Sequence, residues 1–331
     1  MGDPTVLMRA AKSGPSWLVD DLLRVEGILT SAAGASSHPL VSQPALHLLK
    51  AGGKRLRPAL VLSSSRAGEP DRRATDLAAA AIELVHIATL YHDDVLDETD
   101  ARRGVPTAHS KWGTEIAILA GDFLFACGSA LGAEAAGEVP LILARAIAEV
   151  CEGEIVETAS LGNPLRPVDD YIETIKAKTA ALFRAACDLG GATGGVRGQR
   201  RAALVRYGES LGLAFQVVDD LLDLVGDPCV TGKNLGTDLA AGVFTIPVLL
   251  ACDREPALAD RLAAGERDLA TVLPALEATG AIDEAFDIAA SYGSRARAAV
   301  AELGPGDWAE ALETIVEGVL AQVEPRHRTP Q

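Results

Sequence analysis

Positive charge, aromatic residues and patterned cysteines are all scarce in this sequence. Its 331 residues include 30 Lys and Arg against 46 Asp and Glu, which gives a formal net charge of −16. An acidic surface repels the phosphates of nucleic acids, so we expect no nucleic-acid partner. The 5 cysteines are odd in number and lack the paired spacing of a zinc site, which favours reduced thiols in a cytoplasmic protein.

The sequence also lacks a targeting segment and a long uninterrupted apolar run. No basic stretch followed by an apolar stretch opens the chain, so a secretory signal is not expected. The most apolar region, 116–133, is interrupted by Asp122, whereas a membrane-spanning helix needs roughly 20 predominantly apolar residues. We therefore expect a soluble protein without a transmembrane segment.

Helical periodicity is what the chain does have, almost throughout. Hydrophobic residues make up 48% and aromatic residues only 4%, so the core must consist mainly of Ala, Leu, Val and Ile. Ala and Leu favour helix, short Gly and Pro turns separate the helical segments, and no strand-like alternation competes. This pattern predicts an all-α fold with one helical domain, 16–323, between flexible ends at 1–15 and 324–331.

A first acidic motif, Asp93, Asp94 and Asp97, ends the helix that is predicted to start near Asp76. Asp93 and Asp97 are i and i+4, so both carboxylates leave the same helix face. Two like charges about 4 Å apart repel by about 4 kcal/mol at an effective dielectric of 20, so a nearby cation is favoured. Magnesium suits such oxygen ligands, although a single acidic run is more often a solvated helix end.

A second acidic motif changes those odds. Asp219, Asp220 and Asp223 repeat the i and i+4 spacing after the strongly apolar stretch 211–218. Burying acids beside such residues is costly without a partner. Two helices of this kind, facing one cavity, would hold a small magnesium cluster between them.

A basic segment supplies the counterpart of the acids. Lys54, Arg55 and Arg57 follow two glycines and precede a helix, and a diphosphate needs such cations. The segment is not a P-loop, because Leu48 stands where the first glycine is required and no Ser or Thr follows Lys54. A solvated basic turn is the alternative interpretation.

Three further residues could serve the same anion. Arg102 and Arg103 follow the first acidic motif after a turn and can fold back toward it. His86 precedes Asp93 by seven residues, two turns down the same helix face. An isolated helical histidine is usually an ordinary packed residue, so this placement is the argument for His86.

Together these motifs resemble those of trans-isoprenyl diphosphate synthases of the polyprenyl synthetase type. The resemblance extends from Gly52 to about Pro247 and depends on five ordered signatures: GGKRLRP, HDDVLDETDARRG, GDFLFA, KTAALF, and FQVVDDLLD followed by GKNLGTDL. It implies antiparallel helices around a deep central cavity. It also implies Mg²⁺-dependent condensation of isopentenyl diphosphate with an allylic diphosphate.

The resemblance assigns residues to each part of such a site. It implies magnesium binding at both acidic motifs, in which Asp94 and Asp220 support the others: Asp93, Asp94, Asp97, Asp219, Asp220 and Asp223. The positions that match the isopentenyl diphosphate site are Lys54, Arg57, His86 and Arg103. The positions that match the allylic side are Arg102, Lys178, Thr179, Gln216 and Lys233. The predicted catalytic set is Asp93, Asp97, Arg102, Lys178 and Asp219. Gln216 also shares a helix face with Asp219, three residues later.

Two features bear on the product and on the fit to the family. In related enzymes, bulky residues at the positions of Ala88 and Thr89 stop growth early, so small side chains there, with Val85 lower, predict a product longer than geranylgeranyl diphosphate. Side chains that could still close the tunnel are Tyr91, Phe123 and Phe125, and a partner subunit could also do so. Val243 stands where many relatives have a lysine.

Several alternatives remain open at the level of sequence. Relatives are commonly homodimers, so a homodimer is expected. A geranylgeranyl or farnesyl diphosphate synthase is the alternative of the same reaction type. A terpene cyclase also uses acidic magnesium motifs but needs no isopentenyl site, and a non-catalytic partner subunit could retain the helices.

Overall fold

A computed structural model describes residues 15–226 and 235–323 of the chain. Within these residues almost all regular structure is helical, and the strands are limited to one two-stranded antiparallel pair. The prediction of an all-α fold is confirmed.

The helices follow one another with short connections. As far as residue 160 they are α1 (Ser16–Ala33), α2 (Pro39–Ala45), α3 (His47–Lys50), α4 (Leu56–Ser65), α5 (Arg72–Leu96), α6 (Ala108–Trp112), α7 (Thr114–Ala135) and α8 (Val139–Ser160). The later ones are α9 (Val168–Ile175), α10 (Ala181–Thr193), α11 (Gly198–Val225), α12 (Thr237–Ala241), α13 (Ile246–Arg254), α14 (Pro256–Ala263), α15 (Leu269–Ala278), α16 (Ala281–Ala301) and α17 (Asp307–Leu320).

The described residues divide into two compact units. The first contains the chain up to Ile147 together with Leu182–Gly208 and Ala299–Ile315, and its core centres on α5, against which α1, α4 and α7 pack. The second contains Ala148–Ala181, the described part of Glu209–Ala298, and the chain from Val316. In it α13 packs against α9 and α15. One helical domain therefore stays a prediction.

Small residues allow α5 to lie deep in the first unit. Its first turn is capped by Asp71, whose Oδ1 accepts a hydrogen bond from the Ala74 amide at 3.1 Å, which satisfies a donor that a helix start leaves unpaired. Gly128 of α7 comes so close that a Cβ there would lie 3.0 Å from the carbonyl oxygen of Ala81. The close approach fixes α5, whose last turns carry the first acidic motif.

A tight hairpin, absent from the sequence prediction, follows α5. Strands β1 (Ala101–Arg102) and β2 (Val105–Pro106) pair antiparallel around a two-residue turn. Arg103 and Gly104 in that turn have φ of 53° and 75°, the left-handed values that a type I′ turn requires. The hairpin reverses the chain after the acidic motif. Arg102 and Arg103, which were predicted to fold back toward that motif, lie in this hairpin.

A π-helical turn, also unpredicted, joins α9 to α10 over Lys176–Ala180. Such a turn widens the helix by one residue and often marks a functional site. Gly153 of α8 packs directly on this turn, and a Cβ at Gly153 would lie 2.5 Å from the backbone nitrogen of Lys178. Only glycine allows this contact, which brings the π turn against α8.

Two described helices are long and apolar enough to cross a membrane by length and composition. They are α5, with mean hydropathy 1.2 and 78% of its most apolar window buried, and α7, with 1.8 and 33%. A buried core helix can have the same composition, and α5 is mostly buried within the first unit. Apolar residues remain exposed on α7, including Ile118 and Leu119.

Candidate active site

The cations of the basic segment differ in how far their side chains are buried. Lys54 is exposed, whereas Arg55 is 4% exposed. The Arg55 guanidinium donates to Glu26 on α1, with Nε and Oε2 2.8 Å apart, and to Glu83 on α5, with Nη1 and Oε1 3.1 Å apart. Two carboxylates therefore neutralise Arg55, which ties α4 to its neighbours and is not placed to bind a ligand.

Within residues 15–226 and 235–323, no carboxylate forms a salt bridge with Arg57. Its Nε is buried without a hydrogen-bond partner, and its guanidinium carbon lies 4.8 Å from the ring centroid of Phe183. Burial, and the charge of nearby Arg103, lower the pKa of Arg57 to about 10, so the side chain is still charged at neutral pH. A buried charge with an unpaired donor is costly, and a bound anion would relieve that cost.

His86 and Arg103 lie in the same electrostatic environment as Arg57. The Arg103 guanidinium donates to the backbone carbonyls of Leu48, at 3.3 Å, and Gly52, which fixes it beside the basic segment. Burial lowers the pKa of His86 well below its usual value, and Arg57 and Arg103 lower it further. At neutral pH the imidazole is uncharged and offers one N–H donor. These residues together could bind an anion. That they bind isopentenyl diphosphate stays a prediction.

Stability in mild acid should depend on His86. The unfolded chain binds a proton at this histidine below its ordinary pKa of about 6.5, whereas the folded chain does so only at lower pH. The free energy of unfolding therefore falls by up to about 1.4 kcal/mol per pH unit as the pH decreases from the pKa of His86 in the unfolded chain toward its pKa in the folded chain. In denaturant titrations at pH 7.5 and 5.5, His86→Gln should lose less stability than the wild type. An identical loss would show that His86 binds its proton equally in both states.

The three aspartates of the first motif have different surroundings. Asp94 is 1% exposed and pairs with the Nε of Arg102, which lies on β1. Burial raises the pKa of Asp94 and Arg102 opposes this, while the Oδ2 of Asp94 is buried without a partner. Asp93 is half-buried and Asp97 is exposed at the end of α5. Arg102 thus holds the middle aspartate inside, and the i and i+4 pair reaches the surface.

Magnesium fits this set of donors. Among residues 15–226 and 235–323, no group of three or more His, Cys, Asp or Glu side chains is arranged to hold a metal by itself. Mg²⁺ is commonly bound by only one or two carboxylates, with waters and substrate phosphates completing its six ligands. Two carboxylates one turn apart suit an ion of that kind better than zinc or calcium. Magnesium binding at Asp93 and Asp97 stays a prediction.

In the second unit, the π turn carries Lys178. The Lys178 Nζ lies 2.8 Å from Glu154 Oε2 and also pairs with Glu157, both on α8. Burial disfavours the ammonium, but the two glutamates outweigh burial and raise the pKa of Lys178 above its usual value. The predicted allylic-side lysine is therefore charged and held by two carboxylates that motif analysis did not identify.

Thr179, Gln216 and Asp220 form one hydrogen-bonded chain. Thr179 Oγ1 donates to Gln216 Oε1 at 2.7 Å, and Gln216 Nε2 donates to Asp220 Oδ1 at 2.9 Å. Asp220 Oδ2 accepts from the Tyr171 hydroxyl at 2.8 Å. Burial raises the pKa of Asp220 well above its usual value, and the Gln216 and Tyr171 donors counteract this. The predicted residues do meet, and Tyr171 joins them unpredicted.

The other residues of the second motif face different partners. The Asp223 carboxylate accepts from the backbone amides of Thr237, at 3.0 Å, and Asp238, at 3.2 Å, and so caps the start of α12. Asp219 is half-buried on α11. Lys233 lies outside the described residues.

The proposed chain-length positions lie on α5. Val85 and Ala88 are fully buried, and Thr89 is half-buried with its Oγ1 bonded to the carbonyl of His86 at 2.8 Å. Tyr91 is fully buried and its hydroxyl donates to the carbonyl of Pro44 on α2. Since that contact commits the ring to α2, Tyr91 is not placed to block the half-buried side of α5 at Thr89.

An arginine lies beside the position where a lysine was expected. The Arg267 guanidinium carbon lies 5.9 Å from the ring centroid of Phe244, and a Cβ on Gly242 would be 2.5 Å from its Nη1. The Arg267 Nε is buried without a partner. A small recess adjoins this segment, lined by Glu157, Ser160, Leu161, Asn163, Arg166, Gly242, Val243 and Phe244.

Sequence reasoning missed the acidic and phenolic partners that orient the cations and aspartates. Glu83 carried a detectable signal, since it is a charged residue inside the apolar run 77–88. Glu154 and Glu157 are i and i+3, the spacing of a shared helix face. Tyr171 carried no signal of its own, because its partner Asp220 lies 49 residues away.

Comparisons with known proteins show the family to which the chain is related. The sequence profile of the family described as Polyprenyl synthetase matches residues 38–276. The chain is 37% identical over 286 residues to the Nonaprenyl diphosphate synthase of Mycobacterium tuberculosis, covering 84% of this chain and 85% of that protein. It is 39% identical over 282 residues to Heptaprenyl diphosphate synthase component 2 of Geobacillus stearothermophilus, covering 84% and 88%.

A solved structure of similar fold belongs to a protein of the same kind. The crystal structure of a polyprenyl synthase from Caulobacter crescentus, complexed with calcium and isoprenyl diphosphate, matches with a TM-score of 0.86 and 36% identity. The match covers 97% of this chain and 98% of that one. By sequence and by fold, the chain belongs to the polyprenyl synthetase family.

Proposed function

We propose that this chain is an all-trans polyprenyl diphosphate synthase, a prenyltransferase that adds isopentenyl diphosphate to an allylic diphosphate and releases diphosphate. Its product is longer than geranylgeranyl diphosphate. The proposal agrees with the relatives described above, whose names specify heptaprenyl and nonaprenyl products.

The observation that carries the proposal is the pairing of opposite charges on and beside α5. One site is cationic, because it contains Arg57 and Arg103; Arg103 lowers the pKa of Arg57, and both arginines lower the pKa of His86. Two turns along the same helix, Asp93 and Asp97 supply carboxylates, which repel a diphosphate unless a cation intervenes. One group of residues can bind an anion without a metal, and the other, made of carboxylates, can bind one only through a metal. Such a site suits a reaction with two different diphosphates.

In the proposed reaction, the allylic C–O bond breaks and diphosphate leaves with the electron pair. Asp93, Asp97 and Asp219 would hold magnesium, which would supply electrostatic stabilisation of that leaving group. The Lys178 ammonium, which Glu154 and Glu157 hold in place, is the side-chain cation that the proposal assigns to the allylic diphosphate. Arg57 and Arg103 hold isopentenyl diphosphate while its double bond attacks the allylic carbon. Loss of one proton to the released diphosphate then restores a trans alkene.

Product analysis tests this function. Purified chain with Mg²⁺, isopentenyl diphosphate and a farnesyl or geranylgeranyl starter should give products that grow in five-carbon steps beyond 20 carbons. Mass spectrometry would contradict the proposal if the allylic diphosphate alone were cyclised, as a terpene cyclase would do. With a geranyl starter, products that stop at 15 or 20 carbons would instead favour the short-chain alternatives. A chain that turns over only after a second protein is added would be a subunit of a heteromeric synthase.

We also infer that Arg267 supplies the positive charge that position 243 lacks. Among the described residues no salt bridge joins Arg267 to a carboxylate, and its buried Nε has no partner. Arg267→Gln should raise the KM for the allylic substrate about tenfold, the loss expected from one charge-assisted hydrogen bond, and leave the KM for isopentenyl diphosphate unchanged. Arg261→Gln is a matched control, since Arg261 pairs with Glu266. Equal steady-state constants for both variants would refute the assignment.

We infer a homodimer from the exposed face of α7. Ile118, Leu119, Ala126 and Ala130 are exposed along this helix, and a second copy of the chain would cover such an apolar stripe. Sedimentation equilibrium should give twice the chain mass, and a monomer at micromolar concentration would contradict this.

The described cysteines are free thiols, which supports the cytoplasmic location that we propose. Cell fractionation would test this location.

A further inference from the structure

The second acidic motif has one inward aspartate and two that reach the surface. Asp220 is 1% exposed, whereas Asp219 and Asp223 are both half-buried. Successive residues of α11 are about 100° apart around the helix axis, and Asp219 and Asp223, as i and i+4, share a face. A rotation of α11 that displaced Asp220 would therefore displace both of the outer carboxylates.

Asp220 is held on both of its oxygens. Tyr171 is 2% exposed and donates to Oδ2, while Gln216 donates to Oδ1. The Gln216 amide is itself oriented, because its oxygen accepts from Thr179. A buried carboxylate without donors is costly, so α11 is most stable in the one rotation that keeps these bonds.

The bonds also join separate elements of the site. Tyr171 lies on α9, Thr179 lies in the π turn beside Lys178, and Gln216 and Asp220 lie on α11. The Thr179 hydroxyl hydrogen is committed to Gln216 and is not available to a diphosphate, which only accepts hydrogen bonds. This geometry favours a positioning role for Thr179 and Gln216 over direct substrate binding.

We propose that Tyr171 is a positioning residue for the metal site of the second motif. Through Asp220, and together with Gln216 and Thr179, it sets the rotation of α11 that directs Asp219 toward the metal, with Asp223 on the same face, and links that rotation to the π turn of Lys178. The inference rests on the proposed function, since it assumes that the second motif binds a divalent cation.

Metal binding by Tyr171→Phe is the test, with Mn²⁺ and inorganic diphosphate as the probes. Titration followed by electron paramagnetic resonance should show Mn²⁺ bound about tenfold more weakly than by the wild type, the effect of one hydrogen bond to a charged group. The Mg²⁺ concentration for half-maximal turnover should rise by a similar factor, and the KM for isopentenyl diphosphate should not change.

Tyr207→Phe is the matched control. Tyr207 is fully buried and donates to the carbonyl of Leu312 at 2.8 Å, so it loses a hydrogen bond of the same length, but in the other compact unit. It should be less stable to heat and bind Mn²⁺ as the wild type does. If Tyr171→Phe does not fold, Thr179→Val should weaken Mn²⁺ binding about threefold through Gln216.

The outcomes separate the two proposals. Wild-type Mn²⁺ affinity in a folded Tyr171→Phe or Thr179→Val variant would overturn the positioning role and leave the proposed function intact. A wild-type chain that elongates no allylic diphosphate would overturn the proposed function. A wild-type chain that binds no Mn²⁺ in the presence of diphosphate would overturn both.

Discussion

Asp93→Ala should lower turnover about a thousandfold, which corresponds to about 4 kcal/mol of lost transition-state stabilisation. Asp93 is half-buried near the end of α5, whereas most of the buried residues of that helix lie between Thr75 and Ala88. Alanine is also the best helix former. We therefore expect a thermal unfolding temperature close to that of the wild type, and the loss of rate should appear at saturating substrate.

Asp20→Ala is the control for this prediction. Asp20 is an exposed carboxylate on α1, so its loss changes the net charge by the same amount without touching either motif. It should retain wild-type turnover. Near-normal steady-state rates for Asp93→Ala would refute the metal assignment at the first motif. A collapse of its unfolding temperature would instead show that Asp93 acts on the fold.

Thr89→Phe should shorten the product, from chains beyond 20 carbons to chains of about 15 or 20 carbons. Thr89 precedes Asp93 by four residues, one helical turn, and is half-buried, whereas Ala88 beside it is fully buried. A phenyl ring at Thr89 can project from the helix, but at Ala88 it must first displace packed neighbours, at a cost of about 1–3 kcal/mol. Thr89 is therefore the better position for testing the tunnel wall, with product mass as the measurement.

Leu90→Phe separates a wall from a general loss of processivity. Leu90 is also half-buried but points about 100° away around α5, so the added ring should leave product length unchanged. If both variants shortened the product equally, the effect would come from a disturbed helix. An unchanged product in Thr89→Phe would place the end of the tunnel elsewhere.

Both acidic motifs divide their aspartates in the same way. The middle residue, Asp94 or Asp220, is 1% exposed and held by protein donors, Arg102 in one motif and Tyr171 with Gln216 in the other. The first and last residues form the i and i+4 pair. One buried aspartate beside two outward ones should lower the free-energy cost of ordering the metal site, compared with three exposed ligands. The buried aspartate fixes the rotation of the helix before a cation binds.

Local spacing was sufficient to predict much of this arrangement. The start of α7 at Thr114 and the end of α8 at Ser160 follow directly from periodicity and flanking Gly residues. The shared face of each aspartate pair, and of Gln216 with its motif, requires only the geometry of a helix. These features depend on residues a few positions apart, which the sequence specifies directly.

Features that depend on distant partners could not be predicted in this way. Arg55 and Arg57 are two residues apart and chemically identical, yet Glu26 and Glu83 neutralise only Arg55. The type I′ turn at Arg103 lacks the Asn-Gly or Asp-Gly pair that usually signals it. Gly153 packs on the π turn at Lys178, a contact that no local pattern of the sequence indicates. Each outcome is decided by tertiary packing and not by local pattern.

The most direct measurement is a crystal structure of the full chain with Mg²⁺ and an unreactive allylic diphosphate analogue. We predict metal ions within about 2.1 Å of carboxylate oxygens of both Asp93 and Asp219, with the same diphosphate bound to them, and Arg57 facing a neighbouring anion site. A diphosphate bound without metal, or one that contacts a single motif while the other lies elsewhere on the surface, would contradict the proposed chemistry.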